Sequence, residues 1–261
     1  MKNNKEKPLI LITNDDGITS KGIRVLVEEM CKIGEVAVVA PNSPQSGMGH
    51  AITIGEPLRL HKNEVLFDGA EAYECSGTPA DCVKISKQVA LKDRIPDIVL
   101  SGINHGTNSS ISVLYSGTMS AAIEASIEGV PAVGLSLCDY SANADFSHVR
   151  PWVAKIVRGV LANGVPKHLT LNVNFPKISD EPIKGIKVCR QAHAKWEEEF
   201  EERQDPLGKS YYWMSGTFRN FDKGTDNDEW AIENNYVSVV PVQYDLTAYH
   251  AISVLEEWGM E

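Results

Sequence analysis

Short runs of apolar, β-branched residues alternate with amphipathic stretches through the first two-thirds of the chain. That pattern predicts an α/β fold, a mostly parallel sheet with helices on its faces. Strands are predicted over residues 8–13, Glu35 to Ala40, Asp97 to Gly102, Pro131 to Leu137 and Leu169 to Phe175. Between the first two, Ile23, Leu26, Val27 and Met30 share one helical face, and Gly34 closes that helix. Ser120 to Gly129, rich in Ala and Ile, predicts another helix, stopped by Gly129 and Pro131. Gly77-Thr78-Pro79-Ala80-Asp81 reads as a helix start, with Thr78 as N-cap and Pro79 in the first turn.

The pattern changes near residue 185. An acidic stretch, Trp196 to Glu202, is followed by Asp205-Pro206-Leu207-Gly208 and then by Ser210-Tyr211-Tyr212-Trp213-Met214. Asp-Pro-x-Gly is turn chemistry and the aromatic runs favour strand, so a long hairpin arm is predicted to project from the core. An isolated two-stranded hairpin is marginal in water. Its aromatics therefore predict burial against another subunit, with packing on the parent domain as the alternative. Tyr236 to Val242 predicts a further strand. A helix capped at Thr247 follows, with Ile252, Leu255 and Trp258 at helical spacing as core or interface positions.

At 261 residues the chain can bury a sizeable core. Its net charge of −10 argues against a broad basic surface for nucleic-acid duplexes or anionic membranes, and leaves room for a small phosphorylated ligand. Met1 to Pro8 is polar and lacks the apolar centre of a signal peptide, and no apolar run approaches the ~20 residues that cross a bilayer. The five cysteines are scattered, without Cys-x-x-Cys or zinc spacing, which suits a reduced, cytoplasmic thiol population.

The chemistry gathers where strands end. The first strand runs straight into Thr13-Asn14-Asp15-Asp16-Gly17. Neighbouring carboxylates at the end of a buried strand raise one another's pKa, and desolvation adds to the penalty; a bound divalent cation removes both problems. The plain alternative is a solvated Asp-Asp-Gly turn. Three more segments should reach the same rim: Pro41 to His50, Ile103 to Asn108, and Tyr115-Ser116-Gly117-Thr118 leading into the Ala-rich helix. The last is a helix N-terminus whose free N–H groups and hydroxyls suit an anion, unless Ser116 or Thr118 is an ordinary cap. Two carboxylates match magnesium or manganese better than zinc, and neutral oxygens from Ser46 and Asn104 can complete the protein side. The histidines lie at unrelated positions; His105, beside the rim, is the exception worth following.

With these loops assembled, the chain resembles the survival protein SurE family of metal-dependent nucleotidases. The resemblance rests on Ile12 to Ile18 with Ser20-Lys21-Gly22, Ala40-Pro41, Ser46 to Thr53, Gly77 to Val83, Ser101 to Asn108 and Tyr115 to Thr118. Tyr236 to Pro241 and Asp245-Leu246-Thr247 extend it almost end to end in order. It implies a Rossmann-like core with a C-terminal portion exchanged between subunits, in homodimers or homotetramers. The implied division is a catalytic core over 1–187, a hairpin oligomerisation arm over 188–225, and an exchanged strand and helix over 226–261.

The implied activity is hydrolysis of nucleoside 5′- and 3′-monophosphates, with short polyphosphate as a further substrate. By motif, Asp15, Asp16, Ser46 and Asn104 ligate one magnesium or manganese ion per subunit. Asn108, Ser116, Gly117 and Thr118 hold phosphate, and Asn14 joins Asp15 and Asp16 as a catalytic residue. Asn235 stands where relatives commonly carry Gly, a change that left-handed backbone geometry tolerates. Three other readings fit less well. An aspartyl-phosphate phosphatase needs a carboxylate where Asn14 stands. A magnesium-binding receiver domain needs a phosphoacceptor Asp where Ser101 and Asn104 lie. A non-catalytic nucleotide-binding module needs a Gly-rich turn after the first strand, which is absent.

Overall fold

The computed structural model describes residues 7–259; the polar leader Met1 to Glu6 lies outside the described residues. Five strands form where the β-branched runs fall: β1 (Leu9–Thr13), β2 (Glu35–Pro41), β5 (Ile98–His105), β6 (Ala132–Leu137) and β7 (Leu169–Phe175). Two strands that the pattern did not disclose, β3 (Leu60–Asn63) and β4 (Ala70–Cys75), extend the sheet beyond β2. Their sequences, Leu-His-Lys-Asn and Ala-Glu-Ala-Tyr-Glu-Cys, are poor in β-branched residues, and pairing along β2 supplies what propensity does not. At the other end stand β11 (Val237–Gln243) and the three-residue β8 (Ile186–Val188).

The nine strands take the order β3-β4-β2-β1-β5-β6-β7-β11-β8. β1 pairs in parallel with β2 on one side and β5 on the other, so the chain winds outward in both directions from β1. Such a reversal of winding opens a crevice at the carboxyl ends of the central strands. Only the β3/β4 and β7/β11 pairings are antiparallel.

Both faces of the sheet are covered. α1 (Lys21–Met30) and α4 (Arg150–Asn163) pack over Ile10, Ile12, Leu100, Val133 and Phe175, with Leu26, Met30, Val153 and Val157 turned inward. α4 was not predicted, although Val153, Ile156, Val157 and Val160 carry the helical spacing. α2 (Pro79–Ile85) and α3 (Gly117–Ile127) cover Leu11, Val39 and Val99 with the small residues Ala121, Ala122 and Ala125. Thr78 caps α2 as expected: its hydroxyl accepts from the Asp81 N–H while the Asp81 carboxylate accepts from the Thr78 N–H. α1 comes so close to β5 that a Cβ at Gly22 would lie 1.8 Å from the Ile103 carbonyl oxygen. The Gly of Ser20-Lys21-Gly22 is thus a packing requirement.

α3 starts at Gly117, three residues before the predicted start, because Ser116 is its N-cap and accepts from the Met119 N–H at 3.0 Å. α5 (Asp228–Glu233) was not anticipated. α6 (Tyr249–Glu256) begins after Ala248, and Thr247 does not cap it. Asp245 organises the approach instead, accepting from the Thr247 N–H at 2.9 Å and from the Tyr249 hydroxyl. Asn235 takes φ of +64°, and its side-chain amide donates to the carbonyls of Glu181 and Pro182. All five cysteines are free thiols.

The arm is a hairpin of β9 (Ala194–Gln204) and β10 (Ser210–Asn220), eleven residues each, turning at Asp205 to Lys209. Trp196, Phe200, Tyr212, Met214 and Phe218 share one of its faces by register, with Phe200 opposite Met214 and Trp196 opposite Phe218. β11, which was expected within the exchanged segment, lies in the sheet of its own chain between β7 and β8.

Candidate active site

The loop after β1, the loop after β2, the end of β5 and the N-terminus of α3 meet at the carboxyl rim. The Gln45 N–H donates to the Asp15 carbonyl at 2.7 Å, and the Gly49 N–H to the Tyr115 carbonyl at 3.2 Å. The His105 N–H donates to Asp16 Oδ2 at 3.1 Å, and the Thr118 hydroxyl to Asp15 Oδ1 at 2.5 Å. A Cβ at Gly117 would stand 2.7 Å from the Asp15 Cβ and 3.0 Å from its Oδ2, so the first turn of α3 rests directly on that carboxylate.

Asp15 is only 4% exposed, which rules out the solvated Asp-Asp-Gly turn. Burial, reinforced by the charge on Asp16, raises its pKa to about 6, against the Thr118 hydrogen bond that lowers it. Burial also raises Asp16, opposed by the His105 N–H and by the neighbouring imidazole. A carboxyl whose pKa is raised by folding favours the folded state below its unfolded value, here 3.8, and that contribution is lost as pH rises through about 6. With chelator present, melting temperature should therefore carry a component that falls between pH 4 and pH 7. Asp15→Asn should abolish that component, as a series of calorimetric scans across that range would read.

A divalent cation fits this arrangement. Two adjacent carboxylates, each disfavoured in its charged form by burial, carry the −2 charge that a divalent ion neutralises. Among the described residues no group of three or more His, Cys, Asp or Glu side chains is placed to hold a metal. Asn104 is buried, and its side-chain nitrogen donates to the Gly106 carbonyl at 2.9 Å, leaving the side-chain oxygen on offer. Ser46 is exposed, one residue beyond the Gln45 amide that is tied to Asp15. Asn14 Nδ2 donates to the Gly17 carbonyl and to Ser20 Oγ, both at 2.9 Å, while its Oδ1 is buried without a partner. A buried acceptor left so costs about 1–3 kcal/mol, a penalty that a bound donor would remove. The His105 ring is committed elsewhere: Nδ1 donates to the Ser141 carbonyl, and the ring meets Phe146 edge-on at 5.0 Å.

At the start of α3 the ordinary capping role that the sequence left open is present. Ser116 is a helix cap, and it also stands at the rim with Gly117 and Thr118 at the positive end of α3. Asn108 is held from three directions: its N–H donates to Asn174 Oδ1, its side-chain amide to Ser136 Oγ, and its carbonyl accepts from Asn172 Nδ2, each at 2.8 Å. Behind it, the Ser109 hydroxyl donates to Glu229, and the buried Asp228 accepts from the N–H groups of Ser110 and Ala192. None of Ser136, Asn172, Asn174, Asp228 and Glu229 was singled out from sequence. The signal available was the alternation Thr170, Asn172, Asn174 in a strand paired on both sides, where polar side chains need a reason.

Relatives carry the same architecture. A crystal structure of SurE protein from Aquifex aeolicus superposes with a TM-score of 0.83 at 39% identity, covering 97% of this chain and all of that one. The chain is 65% identical over 253 residues to the 5′-nucleotidase SurE of Cytophaga hutchinsonii, 97% of each protein. It is 58% identical over 254 residues to that of Flavobacterium psychrophilum, 97% of this chain and 98% of the relative. The family model described as Survival protein SurE matches residues 10–198, a stretch that contains every residue of the rim. The chain therefore belongs to the SurE family.

Proposed function

We propose that the chain is a 5′-nucleotidase, a hydrolase that releases phosphate from nucleoside 5′-monophosphates with the help of one divalent cation, magnesium or manganese. The observation that carries the reading is the contact of Thr118 and Gly117 with Asp15, which sets an anion-binding helix end directly against a buried acidic pair. Names of relatives identical at 58% and 65% over nearly their whole length support the same activity. Asp15 and Asp16, with Ser46 and Asn104, would hold the cation. When bound there, it supplies Lewis acidity toward a phosphate oxygen and lowers the pKa of a water molecule.

The chain's own groups do the rest. The Ser116 hydroxyl and the free N–H at the start of α3 meet negative charge growing on the phosphate oxygens in the transition state, while the Thr118 hydroxyl, donating to Asp15, holds that carboxylate against the helix end. Asn108, immobilised by Ser136, Asn172 and Asn174, orients the phosphate. Asn14 offers its buried Oδ1 to a donor from substrate or water, and Asp15 or Asp16 takes the proton released as water attacks in line. Because these groups address a terminal phosphoryl group, the ester phosphate of 3′-monophosphates and the anhydride-linked end of short polyphosphate belong to the same proposal. The test is phosphate release from a panel of nucleoside 5′- and 3′-monophosphates and tripolyphosphate, with magnesium, manganese or chelator. Release from 5′-monophosphates that chelator stops is the expected result; release unaffected by chelator, or none with either metal, refutes the reading.

The division into a core over 1–187, an arm over 188–225 and an exchanged segment belongs to this proposal, with the exchange narrowed to α6. Nothing of α6 is buried in its own chain: Ile252, Leu255 and Trp258 are 43%, 42% and 66% exposed. Beside α3 lies an apolar groove of about 590 Å³ lined by Val113, Leu114, Ile123, Val240 and Val242. α6 of a second copy is its occupant, in a homodimer or homotetramer. Ile252→Asp combined with Leu255→Asp should shift the sedimenting species toward monomer; an unchanged profile would remove α6 from the interface. Among the described residues no helix is long and apolar enough to cross a membrane. The net charge of −10 favours small nucleotides over duplexes or anionic membranes as partners, and five free thiols suit the cytoplasm.

A further inference from the structure

The loop that carries Ser46 has little of its own to hold it in place. Asn42 to Ser46 and the two residues beyond are mostly exposed, and a Cβ at Gly47 would meet nothing within 4 Å. On the upstream side, the Gln45 N–H is tied to the Asp15 carbonyl at 2.7 Å. On the downstream side, the Gly49 N–H reaches the Tyr115 carbonyl at a long 3.2 Å, and then His50 Nε2 bonds Glu124 Oε2 at 2.8 Å. Beyond His50 the chain is fixed again, with the Thr53 N–H and hydroxyl both donating to Asp81.

Glu124 is an unusual place to fasten a loop. Its side chain is only 4% exposed, on the sheet-facing helix α3, two turns from the helix end that faces phosphate. Lys84 of α2 already reaches its other oxygen at 2.5 Å and neutralises it. The imidazole is thus not required to neutralise a stranded charge. What it adds is a mechanical tie between α3 and the Ser46 loop, and among the described residues it is the one side-chain hydrogen bond made from Ser46 to His50, the Thr78 hydroxyl next holding the Ala51 carbonyl at 2.8 Å.

We infer that His50 is a positioning residue for the cation site: by clamping onto Glu124 it fixes the downstream end of the loop and so registers Ser46 against Asp15 and Asp16. This rests on the reading of Ser46 as a ligand. The same α3 that presents Ser116, Gly117 and Thr118 to phosphate then also sets the distance to the neutral cation ligand, and the two halves of the site share one rigid support. Outer contacts of this kind typically change metal affinity or activity about 10–100-fold when removed.

The experiment uses the full-length protein with His50→Ala, His50→Gln and Glu124→Gln. Manganese binding is measured by titration calorimetry without substrate, loop mobility by hydrogen exchange over residues 42–49, and kcat and KM for a 5′-monophosphate at saturating manganese. His50→Ala should weaken manganese binding about tenfold and speed exchange across 42–49, with KM for nucleotide close to wild type. His50→Gln, which keeps a donor for Glu124, should recover most of the affinity, and Glu124→Gln should lie between. Wild-type manganese affinity in His50→Ala, or equal losses in the Ala and Gln variants, overturns the inference. Because binding and exchange need no turnover, they decide the point even if the wild-type chain releases no phosphate, a result that would strike the proposed activity alone.

Discussion

Asp15→Asn should lose roughly a thousandfold or more in kcat and, in chelator at pH 7, melt at a higher temperature than the wild type. The two halves of that expectation have one cause. Asp15 is buried, next to another carboxylate, and its pKa stands at about 6 against an ordinary 3.8. At pH 7 the charged form is therefore opposed by about 3 kcal/mol, from 1.36 kcal/mol per pKa unit. Asn has the same shape and keeps an oxygen for the Thr118 hydroxyl, yet carries no charge to desolvate. Removing the charge takes away what a cation binds and what destabilises the metal-free fold. A rise of about 5 °C is the right order for a chain of this size. The checks are initial rates at several manganese concentrations beside calorimetry in chelator. Near-normal turnover at saturating manganese would remove Asp15 from the essential ligands, and a lower melting temperature would refute the account of its burial.

Gly117→Ala should be nearly as damaging to turnover, with a loss on the order of a hundredfold. By helix propensity alone Ala is the better residue in the first turn of α3. The obstruction is a Cβ placed 2.7 Å from the Asp15 Cβ and 3.0 Å from Oδ2. Either the carboxylate moves or the end of α3 lifts, and in both cases the anion cradle and the acidic pair part company. Because α3 is otherwise held by Ala121, Ala122 and Ala125 against the sheet, the fold should survive. The discriminating measurement is kcat beside a thermal melt. Unchanged kcat would mean that the contact between helix end and carboxylate carries no weight in the reaction.

How much of this was legible beforehand differs between elements for physical reasons. Four of the five central strands announce themselves because a strand buried on both faces reads as a near-continuous apolar run, and β7 does so by the alternation of Leu169, Leu171, Val173 and Phe175 with polar residues. β3 and β4 do not, since at the end of the sheet burial is incomplete on both faces: Glu71 is exposed on one face of β4 and Glu74 half-buried on the other. That the acidic pair and the Ser-Gly-Thr helix start reach one rim was legible, because one follows β1 and the other opens α3. That the two touch was not: the contact joins residues over a hundred positions apart and depends on Gly117 lacking a side chain. The support of Asn108 by Ser136, Asn172 and Asn174 was hidden for a related reason. Each is an ordinary polar residue alone, and only the register of β6 and β7 lines them up behind the loop. His105 stood out by position, but its ring turned out to serve Ser141 and Phe146 while its backbone serves Asp16.

The hairpin has a consequence for how unfolding is measured. Eleven paired residues per strand reach about 37 Å at 3.4 Å each, yet almost every side chain along them faces solvent in a single copy. Such a ribbon lacks an interior that could melt together with the sheet, and its amide protons should trade with solvent through small openings that cost far less than global denaturation. Calorimetry on a lone subunit therefore reports the nine-stranded body and is blind to the ribbon. Deuterium uptake along the ribbon, followed as concentration rises, is the measurement that tests whether a neighbour docks there.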